Sequence, residues 1–272
     1  MQRVRKRAVE TGLLEGRIRG NADYQKVDFI GWIFRNLEIQ TGSHILELCC
    51  GTGAQTLPFL EAVGHSGSVT ALDISQEAIS KLKQKVEPRL KNRLTALVYP
   101  LDETEGALRE RARQRSSYDV VFCSYGLYYS ENPNLVLSQL FQWVSEKGSI
   151  VIVGPYGPNN HALFEFLARR RVKIPEYVRY TSQDFMEEVV VPFSVRNFAV
   201  CEINTMVNPV LWQSDAAVYD YWKNSTFYDE GRSPAIRRAL KRFFAAKEVF
   251  VNEKWVMMVK MREKRIPGGG AH

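Results

Sequence analysis

His44-Ile45-Leu46-Glu47-Leu48-Cys49-Cys50-Gly51-Thr52-Gly53 is a short apolar run that ends on a carboxylate and a glycine-rich turn. Downstream, Val69-Thr70-Ala71-Leu72-Asp73-Ile74-Ser75 is a second apolar run that also ends on an acid. The first reads as a buried strand that bends through small residues into a helix, and the second as its parallel neighbour with Asp73 at the tip. Gly51 and Gly53 let a ligand approach the main chain, because a Cβ there would fill the space or forbid the dihedrals. Asp73 stands where an acid can accept hydrogen bonds from both hydroxyls of a ribose.

Two cofactor classes use this layout. The dinucleotide fingerprint Gly-x-Gly-x-x-Gly needs a third glycine, and counted from Gly51 that place is Thr56. Glu47 also conflicts with a pyrophosphate, since two anions in a partly desolvated site repel. It suits an ammonium, and S-adenosylmethionine carries an ammonium and a sulfonium but no phosphate. On these residues the chain resembles the class I S-adenosylmethionine-dependent methyltransferases, along nearly its whole length. The family's motif, acid-x-Gly-x-Gly-x-Gly, stands here as Glu47-Leu48-Cys49-Cys50-Gly51-Thr52-Gly53, with Cys49 in place of the first glycine. Cys-Cys-Gly-Thr-Gly is similar to a variant of quinone-pathway and related small-molecule methyltransferases.

Further buried strands are expected over 93–99, 118–124 and 148–154, each apolar and bounded by turn residues. Helices are expected over 77–86, after Ser75 as N-cap, and over 134–144 after Pro133, with Leu135, Leu137, Leu140 and Val144 as the apolar stripe. The alternation implies right-handed βαβ units. The resemblance adds late strands over 197–207 and 253–261, the last antiparallel. The expected fold is α/β, a Rossmann-like doubly wound seven-stranded mixed sheet with helical cap additions. Its parts are an N-terminal helical extension over 1–40, a methyltransferase domain over 41–262 with cap insertions at about 156–192 and 209–250, and a disordered tail over 263–272.

The chain has 272 residues, 45% of them hydrophobic, with no long uncharged apolar run, so a single large globular domain without a membrane span is expected. The basic start, Arg3 to Arg7, is followed by no apolar segment of the secretory kind, and the expected location is cytoplasmic. Cys49, Cys50, Cys123 and Cys201 show neither metal-ligand spacing nor a disulfide framework, so no metal is expected.

The resemblance implies that Glu47, Cys49, Gly51 and Gly53 surround the methionine part of S-adenosylmethionine, Asp73 holds the ribose, Ile74 packs on the adenine and Asp102 lies near the adenine amino group. Ser124 and Tyr125 flank the donor on the other side, and Tyr24 closes over the methionine end. The product is S-adenosylhomocysteine. Methyl transfer from a sulfonium is an in-line displacement on an activated donor, so alignment and exclusion of water are the main tasks. Where an acceptor must lose a proton, His161 is the candidate base, its ordinary pKa lying near neutrality; the alternative is an exposed place in the first turn of a helix. Tyr125 and Tyr128 are candidates to orient the acceptor.

The cap segments are rich in aromatics, among them Tyr177, Tyr180, Trp212, Tyr221 and Trp222, and in arginines, Arg169 to Arg171 and Arg179. They suit an aromatic or anionic small-molecule acceptor, or else a core and a solvated helix face. The net charge of +7 raises nucleic acid as a partner. Ser124-Tyr125-Gly126-Leu127-Tyr128 is not the Asn/Asp-Pro-Pro-Tyr/Phe motif of base-flipping amino methylases, no Pro-Cys pair supplies a nucleophile, and the charge is spread along the chain. The expected function is therefore methyl transfer to an oxygen or nitrogen of a small molecule, with an RNA methyltransferase and a catalytically inactive cofactor-binding partner protein as the alternatives.

Overall fold

The computed structural model describes residues 2–111 and 117–265. Its seven strands are β1 (His44–Leu48), β2 (Ser68–Asp73), β3 (Leu94–Val98), β4 (Tyr118–Ser124), β5 (Val144–Pro155), β6 (Phe198–Trp212) and β7 (Phe250–Lys264). They form one mixed sheet in the order β3-β2-β1-β4-β5-β7-β6, with β7 antiparallel. The first five strands pair in parallel, Leu48 standing beside Leu72 on one side and Cys123 on the other. Strand order reverses between β1 and β4, which is where open α/β sheets leave a crevice at the carboxyl ends of their strands.

The helices are α1 (Gln2–Val9), α2 (Thr11–Ala22), α3 (Phe29–Asn36), α4 (Thr56–Ala62), α5 (Gln76–Lys85), α6 (Thr104–Arg111), α7 (Pro133–Trp143), α8 (His161–Ala168), α9 (Glu176–Gln183), α10 (Val191–Asn197), α11 (Asp215–Asn224) and α12 (Ser233–Phe244). The chain divides into two compact units. A sheet unit contains 36–154, 186–204 and the chain from 257, and a second unit contains 1–35, 155–185 and 205–256.

In the sheet unit, Ile45, Leu46 and Leu48 of β1, Val69 and Leu72 of β2 and Val121 to Cys123 of β4 are buried, and Phe59 of α4 meets Phe122 edge-on at 5.1 Å. Ser75 caps α5 by accepting from Ala78 N at 3.2 Å, as its sequence suggests. The apolar stripe of α7 differs from expectation. Leu135 is 51% exposed, and the buried face is Val136, Leu137 and Leu140, because the helix starts at Pro133 and its Asn132 cap turns residue 135 outward. β7 continues to Lys264, so residues 263 and 264, expected in a disordered tail, belong to the strand; residues 266–272 of that expectation lie outside the described residues.

In the second unit, arginines of the N-terminal helices cap α11. Arg7 donates to Ser225 O at 2.9 Å and to Lys223 O at 2.6 Å, and Arg17 donates to Asn224 O at 2.9 Å. These carbonyls at a helix C-terminus have no partner within the helix, and a cation there also meets the negative end of the helix dipole. Val218, Tyr221 and Trp222, spaced along one face of α11, are buried within this unit.

Candidate functional site

After β1 the chain turns through three left-handed positions in five residues: Cys49 at φ 55°, Gly51 at 54° and Gly53 at 90°. At Gly53 the left-handed φ itself favours glycine, and a Cβ would also stand 2.4 Å from Leu82 Cδ1, the movable end of an α5 side chain. Cys49 adopts the same conformation with a side chain, at a cost of about 1–2 kcal/mol. Its side chain lies over Gly126 in the loop after β4, where an added Cβ would come within 2.4 Å of both Cys49 Cβ and Sγ. Tyr125, next to that glycine, is itself at φ 55°. The loops after β1 and β4 thus touch through one thiol and one bare Cα.

Asp73, at the tip of β2, fastens the glycine turn. Its Oδ2 accepts from Gly51 N and its Oδ1 from Ser75 N, both at 2.8 Å. Burial raises its pKa and these two N–H groups pull it back. Each oxygen keeps a second lone pair, so a diol can be added without breaking the turn. Ile74, beside it, is 52% exposed and offers an apolar surface.

Glu47 lies one residue before the end of β1 and is buried. Burial pushes its pKa up to about 8, against the hydrogen bond that Thr56 Oγ1 donates to its Oε2 at 2.6 Å; the charge of Asp73 pushes further in the same direction. Near neutrality the carboxyl therefore holds its proton. A cation beside it would favour ionisation and gain a strong, desolvated ion pair. Thr56 is the residue at the place of the missing third glycine, so what rules out a dinucleotide loop also supplies the partner of Glu47.

Beyond β3, Asp102 accepts from Ser130 Oγ and from Glu131 N at 3.1 Å, tying the turn after β3 to the loop after β4. Ser130 Oγ in turn accepts from Asn132 N at 3.0 Å. In the same loop Tyr128 and Tyr129 pack edge to face at 4.7 Å. Ser124 Oγ, at the end of β4, is buried and has no hydrogen-bond partner among the described residues, a cost that a ligand polar atom would remove.

The fold thus brings Glu47, Cys49, Gly51, Gly53, Asp73, Ile74, Asp102, Ser124 and Tyr125 to the carboxyl ends of β1 to β4, with Tyr128 in the loop after β4. Tyr24 and His161 belong to the second unit. Tyr24 O accepts from Leu211 N at 2.9 Å. His161 opens α8 with its side chain 64% exposed, 3.8 Å from Glu165 of the same helix. Sequence reading did not find Thr56, Gly126 or Ser130 as site-building residues. A threonine opening the helix that follows the glycine turn was the one available signal.

A methyltransferase-domain family profile matches residues 45–148. The demethylmenaquinone methyltransferase of Lactococcus lactis is 33% identical over 113 residues, which are 42% of this chain and 42% of that protein. The chain spans about half the length of the curated relatives it matches, all of that name among the first eight. Among solved structures, a candidate methyltransferase of Bacillus halodurans is similar at a TM-score of 0.56 and 11% identity, over 87% of this chain and 99% of that one. A S-adenosylmethionine-dependent methyltransferase of Geobacter sulfurreducens, solved with S-adenosyl-L-homocysteine, is similar at 0.51 and 16%, over 86% and 90%.

Proposed function

We propose that this chain, whose residues 45–148 form a class I methyltransferase domain, moves a methyl group from S-adenosylmethionine to an oxygen or nitrogen of a small aromatic or anionic metabolite. The observation that carries the reading is the Asp73 carboxylate holding Gly51 N and Ser75 N at 2.8 Å beside a buried, protonated Glu47. That combination offers acceptors to a diol and a latent anion to an ammonium, and it offers nothing to a phosphate. The residues present fit the cofactor. Gly51 and Gly53 leave the main chain bare, Ile74 supplies an exposed apolar face, and Ser124 Oγ lacks a partner among the described residues.

Bound there, S-adenosylmethionine supplies a methyl group already activated by its sulfonium. Glu47 gives up its proton to pair with the ammonium, Asp73 orients the ribose, and Tyr125 and Tyr128 line the acceptor side and exclude water from the transfer. Where the acceptor is a hydroxyl, a base must take its proton, and His161, the exposed imidazole of α8, is the residue to test. Relatives named for demethylmenaquinone support an aromatic acceptor. A nucleic acid is favoured less, because Arg3, Arg7 and Arg17 donate to main-chain carbonyls of Tyr228, Ser225, Lys223 and Asn224.

Incubation of the full chain with methyl-labelled S-adenosylmethionine and a panel of hydroxylated aromatic and carboxylated metabolites tests the reading. Label in a small molecule with equimolar S-adenosylhomocysteine supports it. Label recovered only in RNA, under conditions where the small molecules stay unlabelled, replaces it with the nucleic-acid alternative.

A further inference from the structure

Two lysines on β7 are almost fully enclosed, and they are treated differently. Lys260, in the sheet unit, is 2% exposed and has Glu38 Oε2 at 3.5 Å and Glu202 Oε2 at 3.6 Å. Lys254, in the second unit, is 9% exposed, and among the described residues no carboxylate lies within 4.0 Å of its Nζ. Its ammonium donates to two neutral oxygens instead, Asn160 Oδ1 and Tyr221 Oη, both at 2.5 Å, and stands 4.3 Å from the centroid of the Tyr221 ring. The acid next to it in sequence, Glu253, points to the other face of the strand and accepts from Trp255 Nε1 at 3.1 Å.

An enclosed charge without a counter-charge is costly, and proteins pair such groups or use them. The surroundings of Lys254 add to the cost. Asn160 is held at φ 61°, a left-handed conformation uncommon outside glycine, by its own N–H to Glu253 O at 3.0 Å and by Asn252 Nδ2 on its amide oxygen at 3.0 Å. That oxygen is thereby loaded with two donors and cannot neutralise the ammonium. Among the described residues those two oxygens are the ones that accept from the ammonium, which leaves its third N–H for an incoming group.

We propose that Lys254, with Asn160 and Tyr221 holding its ammonium in place, is the recognition point for an oxyanion, a carboxylate or phosphate group of a small molecule bound by the second unit. One oxyanion oxygen takes the third N–H, and the ion pair forms in a largely desolvated place where Coulomb attraction is weakly screened. That the small molecule is the methyl acceptor rests on the proposed function; the anion site itself does not.

The test is thermal unfolding of the full chain, followed by tryptophan fluorescence, with inorganic phosphate and separately with malonate, each against potassium chloride at equal ionic strength. Trp212, 4.9 Å from Tyr221, reports locally. Saturable stabilisation of the wild type by about 2–4 °C with one of the two anions is expected. Phosphate alone assigns a phosphate-bearing ligand and malonate alone a carboxylate. Lys254→Met loses the response and unfolds no lower than wild type in chloride, because it removes an uncompensated charge. Tyr221→Phe removes one of the two oxygens that hold the ammonium and weakens the response without abolishing it. No saturable response of the wild type to either anion overturns the proposal, as does an equal response in Lys254→Met. If Lys254→Met does not fold, the wild-type titrations and Tyr221→Phe still decide. Titration with S-adenosylhomocysteine on the same preparations reports separately on the methyl-donor site.

Discussion

Glu47 makes the stability of the fold depend on pH in a way that one substitution removes. Its carboxyl holds a proton more tightly folded than unfolded, so the stabilisation from that proton is full below pH 4.5 and is lost as pH rises through 8. With an unfolded value of 4.5 and a folded value of about 8, the loss amounts to about 3 kcal/mol at pH 7 and about 5 kcal/mol above pH 9. Glu47→Gln keeps the shape and an oxygen for the Thr56 hydroxyl and has no proton to lose. The groups that face the carboxyl are Thr56 of α4, Asp73 of β2 and the Cys50 thiol, itself held protonated by burial. Urea unfolding of both proteins from pH 5 to pH 9 should show Glu47→Gln gaining on the wild type by several kcal/mol across the series. Parallel pH profiles would refute the reasoning, since they would mean that the carboxyl ionises in the fold at no cost.

The same proton bears on the ligand. If Glu47 must ionise to pair with the ammonium, the affinity for S-adenosylhomocysteine rises by up to tenfold per pH unit between pH 6 and 8, and calorimetry at three pH values would show a flat profile if it does not. Gly126→Ala sets a Cβ 2.4 Å from Cys49 and should destabilise by about 1–3 kcal/mol, with Cys49→Gly restoring the loss in the double variant; a double variant as unstable as Gly126→Ala would contradict the contact. Arg17→Met leaves Asn224 O and Ala8 O without their donor and should cost about 1–3 kcal/mol in urea unfolding, and a change under half of that range would deny the arginine its capping role.

The sheet and its ligand-facing edge were legible because their signals are local. A five-residue apolar strand, a glycine turn and a tip acid stand within thirty residues, and Ser75 marks the start of α5 by its own side chain. What escaped depends on partners distant in sequence. The arginines of residues 3–17 read as free charge until they meet carbonyls more than 200 residues away. β6 and β7 run for 15 residues each, beyond the ranges expected, because Pro209 looks like a breaker and Asn252 looks like a solvent-facing polar residue. Pro209 is tolerated because β6 is an edge strand of the sheet, and its carbonyl accepts from Lys26 N at 3.0 Å. Ser130 as the partner of Asp102 and Gly126 as the seat of Cys49 come from a loop that only the closed sheet brings there, whereas Thr56, at the start of α4, is nine residues from Glu47 and meets it only through the turn between them. A five-residue π-helix, Met186–Val190, carries no sequence mark at all.

The most direct measurement is calorimetric titration of the full chain with S-adenosylhomocysteine, repeated with Asp73→Ala. The account predicts one site per chain in the wild type and at least tenfold weaker binding in the variant, which loses the ribose acceptor and the clasp on Gly51 N and Ser75 N together. Binding of equal strength in both proteins would contradict the placement of the nucleoside at the tip of β2, and no binding to the wild type would contradict the reading of the glycine turn as a methyl-donor site.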